Sequence, residues 1–134
     1  MKLYTTYDPI DIAVSGLKAQ DRNIKLISSN VANAESTDSG NGEPYRRLEA
    51  VFKTDGDGIG GVTIDEVKAD MSQFPKELKP GHPNADDQGY VSMPNVSLPA
   101  EMSHLSAAAR SYQANLAILK RYQQMVESTL ELLK

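Results

Sequence analysis

The helix-forming pattern of this 134-residue chain lies at its two ends and nowhere between. Toward the C-terminus, apolar or weakly polar residues recur at spacings of four and three: Leu105, Ala109, Tyr112, Leu116, Leu119, Gln123, Val126, Leu130 and Leu133. Near the N-terminus Ile10, Ala13, Leu17, Gln20, Ile24, Ile27 and Val31 keep the same beat. Such spacing turns one seam toward a partner helix over many turns, which is coiled-coil patterning. Gln20 and Gln123 fall inside the seams and are expected to set register rather than strength. A chain with an adhesive helix at each end is expected to assemble.

The first helix has a clear start. Asp8 suits the N-cap, Pro9 the first helical position, and Asp11 complements the helix dipole. Its end is expected between Asn30 and Ser36, where the apolar beat stops among Asn, Ser and Thr. Gly16 lies inside it at a cost of about 1 kcal/mol relative to Ala; it either admits a close neighbour or is simply tolerated. Between Thr37 and Leu98 the chain places eight of its nine glycines and five of its seven prolines, which forbids long helices there. Strand-like stretches remain at Pro44–Lys53, Gly61–Val67 and Gly89–Met93.

The last helix is expected to start at Pro99, capped by Ser97 or Leu98, and to run unbroken to the C-terminus. About 35 residues give roughly 50 Å of helix. It carries a second apolar row, Ile118, Tyr122, Met125 and Leu132, one position from the first. One shorter N-terminal helix cannot cover both rows, so either the middle of the chain or other subunits must. The polarity of the middle favours other subunits. The first seam is therefore expected to pair the terminal helices, and the second row to make subunit contacts. The fold class is α+β: long N- and C-terminal helices in a coiled-coil layer (residues 1–36 and 98–134), with a small irregular β-rich lobe between them (residues 37–97).

Charge excludes one class of partner. The net charge is −4, and residues 37–98 hold six basic against eleven acidic groups, the whole of the imbalance. Nucleic acid needs a basic footprint instead. There is no cysteine, hence no disulfide framework or thiolate metal site, and no apolar run of membrane-spanning length. The segment Met1–Tyr7 lacks the apolar core of a secretory signal, so any export is expected to proceed without a cleaved one.

Few residues invite chemistry. The stretch Asp55–Glu66 matches a calcium loop at positions 1, 3, 6 and 12, but Ile59 offers no oxygen at position 5 and the flanks read as strands, so an acidic hairpin tip is preferred. His82 sits in a Pro-Gly-His-Pro turn and His104 on the last helix, neither with a second ligand at helical spacing. Asp86-Asp87 suits an Asx-type turn before a strand better than a catalytic pair. Arg46-Arg47 reads as a solvated strand or as a contact to an acidic neighbour subunit. No catalytic residue, cofactor or metal is expected, and the chain does not read as an enzyme. A calcium-binding module and a helical-hairpin effector forming a discrete dimer remain as rivals to an assembly subunit.

Three segments together resemble the bacterial flagellar rod and hook proteins. The first is Asn30-Val31-Ala32-Asn33-Ala34 with Pro44-Tyr45-Arg46-Arg47, similar to the end of that family's first helix. The second is Pro83–Val96, with Gly89, Tyr90, Pro94 and Asn95, similar to a stretch of the proximal-rod members. The third is Glu101-Met102 followed by Ala109-Arg110-Ser111-Tyr112-Gln113-Ala114-Asn115 on the C-terminal helix. The resemblance implies a structural subunit of the proximal rod, exported by the flagellar type III apparatus and assembled in the periplasm into a helical drive shaft. Its partners would be copies of itself, other proximal- and distal-rod proteins and the adaptor at the rod base. Such proteins vary at Asp55–Gly61, which lends the calcium loop no support.

Overall fold

A computed structural model describes residues 8–56 and 59–134. Helix α1 spans Pro9–Ala32, strands β1 and β2 span Leu48–Thr54 and Val62–Ala69, β3 and β4 span Lys76–Leu78 and Tyr90–Ser92, and helix α2 spans Leu98–Leu132. Met1–Tyr7, and Asp57 and Gly58 of the supposed calcium loop, lie outside the described residues. The α+β architecture is thus two terminal helices with two small antiparallel sheets between them.

Local sequence explains where the helices begin and end. The Asp8 carboxylate accepts the Ile10 N–H at 2.9 Å, and Pro9 follows in the first turn, where its missing N–H is no loss. Asn33 closes α1: its backbone N–H returns to Ser29 O at 3.0 Å, and its side-chain amide donates to the same carbonyl at 2.9 Å. At α2 the N-cap is Ser97, whose hydroxyl makes no capping bond, with Pro99 in the first turn.

The helices pack against each other along the length of α1. Asn30 meets Glu101, and Gly16 meets Asn115. Those two contacts fix an antiparallel register in which Pro9 falls opposite Tyr122. α1 is 24 residues long and α2 is 35, so α2 runs on past the start of α1. Ten residues, about 15 Å of helix, overhang. Gly16 serves a close approach, since a Cβ there would lie 2.8 Å from the Asn115 side-chain amide.

β1 and β2 form a hairpin closed by Asp55 N–H to Gly61 O at 2.8 Å, with a bulge where the register shifts between Val51 and Phe52. The hairpin lies on α1. Val62 N–H donates to Ser15 Oγ at 2.9 Å, and a side chain at the buried Gly61 would collide with Ser15. Strand bounds differ from expectation. β1 starts four residues after Pro44, because the Tyr45 N–H goes to Ser36 O and the Arg47 N–H to Asn95 Oδ1, leaving Asp70 N–H to Arg47 O as the last backbone bond beside the ladder. β3 has no counterpart in the sequence reading: all three of its residues are exposed, so it carries no alternation, and only its pairing with β4 makes it a strand.

Candidate assembly surfaces

A polar joint with a fully buried centre ties the end of the helix pair at Asn30 and Glu101 to the lobe. Asn30 is 0% exposed, and every polar atom of its side chain is engaged. Its Nδ2 donates to Leu48 O at 2.9 Å and to Glu101 Oε2 at 3.0 Å. Its Oδ1 accepts from Leu48 N–H at 2.9 Å and from the Tyr45 hydroxyl at 3.0 Å. Glu101, also 0% exposed, takes Arg47 Nε on its other oxygen, and Arg47 reaches on to Glu49 and Asp70. A buried carboxylate survives only with such a partner set. Burial alone would pull the Arg47 guanidinium down, but hydrogen bonds to Glu101 and then Glu49 outweigh it and hold its pKa above the usual value.

The joint continues into the lobe. Asn95 Oδ1 accepts Arg47 N–H at 2.8 Å, and its amide donates to Asp70 O at 2.8 Å and to Ser72 Oγ at 3.0 Å. Arg46 donates to Asp70 O and Ser72 O and lies 4.2 Å over the Phe74 ring. Asp70 is held below the usual carboxylate range, first by the Ser72 backbone N–H and then by the Ser72 hydroxyl. Arg46 and Arg47 therefore make contacts within the chain and do not lie on a solvated strand. Of the residues quoted for the family resemblance, the structure brings Asn30, Tyr45, Arg46 and Asn95 into or beside this joint. Asn33 caps α1, Pro94 is buried beside Asn95, and Gly89 and Tyr90 form the turn into β4. Arg110 is exposed on α2, while Tyr112 and Asn115 face the helix pair.

Sequence reasoning missed Glu101 and Arg47 as a pair. One signal was available: Glu101 stands four residues before Leu105, on the apolar seam itself, and a charge on a seam needs a buried partner.

Along the seam, Ile27 is buried, and Ile10, Leu17, Ile24 and Val31 are half-buried. Leu105, Tyr112, Leu116 and Leu119 answer them, also half-buried, with Ala108 fully so. Past Tyr122, itself half-buried, the environment changes. Val126, Leu130 and Leu133 of the first row are exposed, Leu130 at 57%, and so are Met125 and Leu132 of the second, Leu132 at 88%. Ile118 is exposed as well. The strands pack on α1 and not on α2, so the lobe leaves these rows uncovered. Within the reach of α1 the first row turns inward and Ile118 of the second row outward, but Tyr122 of the second row is half-buried; beyond it both rows are exposed.

The remaining motifs take local duties. Asp86 Oδ1 accepts from Gln88 N–H at 3.0 Å and Tyr90 N–H at 2.9 Å, the Asx turn expected. The Tyr90 N–H is the main cause of its lowered pKa. His82 caps its turn by accepting Asn84 N–H, and His104 lies near Glu101 and Arg47. The Asp55–Gly61 loop joins two paired strands, not the two helices a calcium loop needs.

The family described as flagella basal body rod protein matches residues 10–38, which cover α1 and its exit. The family described as flagellar basal body rod FlgEFG protein C-terminal matches residues 87–132, which cover β4 and α2. Curated relatives named flagellar basal-body rod protein FlgC align along nearly the whole chain. That of Salmonella typhimurium is 43% identical, covering 91% of this chain and 93% of its own length. That of Agrobacterium fabrum is 42% identical over 92% and 91%. That of Borreliella burgdorferi is 32% identical over 96% and 97%.

Proposed function

The chain belongs to the FlgC family of flagellar basal-body rod proteins, and on that footing we propose how it serves the rod. It is a structural subunit of the basal-body rod, assembled with other rod components, and not an enzyme. Within the rod it takes a proximal place and polymerises through its terminal helices into the shaft that carries motor torque to the hook and filament. It reaches the periplasm through the flagellar type III apparatus, without a cleaved signal, and meets the rod-base adaptor and the distal-rod protein there.

One observation carries this reading: the overhang of α2 presents two adjacent apolar rows with no partner among the described residues. Contiguous exposed apolar surface of that kind marks an interaction site. Along a helix, and repeated by a screw operation, it yields an open filament instead of a closed dimer. The test is Leu130→Asp. Leu130 is exposed and far from the polar joint, so the folded chain should keep its stability to within about 0.5 kcal/mol. Rod incorporation and swimming should be lost. Normal swimming by cells carrying this variant would sink the proposal.

A further inference from the structure

We propose that the overhanging end of α2 from one copy docks into the groove between α1 and β2 of a second copy. The proposal rests on the assembly reading above and names the surface that receives the overhang. The groove is open, about 550 Å³, with a floor from Val14, Ala19, Val62 and Ile64. Its rim carries Lys18 and Arg22, one helical turn apart and both exposed. Among the described residues neither makes an ion pair, whereas their neighbours are matched: Asp21 with Lys25, Asp65 with Lys53 and Glu66 with Lys68. Asp11 marks the far end of the groove. Along α1, the charges facing the groove therefore run acidic, basic, basic.

The overhang carries the inverse order. Glu127 and Glu131 are one turn apart beside the exposed row Val126, Leu130 and Leu133, and Lys134 follows at the tip. Among the described residues neither acid is in an ion pair. Laid antiparallel to α1, the overhang sets Glu127 against Arg22 and Glu131 against Lys18, and points Lys134 toward Asp11. Laid parallel, Glu127 and Glu131 would still meet Lys18 and Arg22, but Lys134 would fall against Lys25, like charge on like. The apolar row covers the groove floor and supplies the attraction, while the charges select partner and orientation. The contact cannot form within one chain. Lys18 falls opposite Gln113 in the helix register, about 27 Å of helix short of Glu131.

Both ends of the contact are exposed and remote from the polar joint, so they can be altered without unfolding the subunit. In flagellated cells whose own copy is replaced, a chain carrying both Lys18→Glu and Arg22→Glu should lower rod incorporation at least tenfold. A chain carrying both Glu127→Lys and Glu131→Lys should do the same. Co-expression of the two chains, or all four changes in one chain, should restore it, because acidic tips then meet basic grooves and basic tips meet acidic ones. The chain has no cysteine, so Lys18→Cys with Glu131→Cys should give, on oxidation of isolated basal bodies, disulfide-linked multimers of this chain alone. Each single cysteine should give none. Unchanged incorporation after either charge reversal, or failure of the combined reversal to restore it, overturns the proposal. So does a motile double-cysteine strain without linked copies, or one linked only to a different rod protein. If Leu130→Asp blocks incorporation while the reversals do not, the docking site is wrong and the rod role stands.

Discussion

At the scale of the residue, Asn30 and Glu101 concentrate more consequence than any apolar side chain. Replacing Asn30 by Ala would remove the partner of the Leu48 N–H and C=O and of one oxygen of the buried Glu101. We expect a loss of about 3 kcal/mol or more, read from the urea midpoint by circular dichroism. Asn30→Asp should be at least as damaging despite its equal size, since it sets a second carboxylate against Glu101 and removes both donors. Gly16 gives a two-sided prediction. Alanine there gains about 1 kcal/mol of helix propensity but meets Asn115 at 2.8 Å. Gly16→Ala should therefore destabilise the natural chain and stabilise the Asn115→Ala background by about 1 kcal/mol, a coupling that a double-mutant cycle reads directly.

Among elements, what was legible in the sequence was what neighbours in the chain decide. Asp8 and Pro9 start α1 because a cap and a first turn are local matters, and α2 runs unbroken because no Gly or Pro interrupts it after Pro99. The joint was not legible, because Arg47 lies 54 residues from Glu101 and Asn30 lies 71 from it, and no periodicity links such positions. β3 escaped for a similar reason: the three exposed residues Lys76, Glu77 and Leu78 become a strand only through β4. The hairpin depends on α1 in the same way. Gly61→Ala should break the Ser15–Val62 contact and raise amide exchange through β2, while deleting Gly56–Gly60 should leave α1 and α2 protection unchanged.

For the molecule as a whole, acid sensitivity should follow the lobe. The pKa values of Asp70 and Asp86 are depressed by hydrogen bonds made in the folded state. A depressed carboxylate adds stability above its unfolded pKa and loses it as pH falls through the folded one. Stability should thus decline as pH drops through and below the usual carboxylate range. Asp86→Asn, which keeps the accepting Oδ1 of the turn, should flatten that decline in urea titrations run at successive pH values.

The unequal lengths of α1 and α2 also give the subunit a sense of direction. One end is sealed, its polar groups spent on one another through Asn30, Glu101 and Arg47; the other, among the described residues, is an apolar prong without a lining. Under the docking proposed above, copies stack as arrows do, all pointing one way. A copy inserted upside down would set prong against prong and seal against seal. The order of a shaft built from it is therefore written into each piece before a second piece arrives.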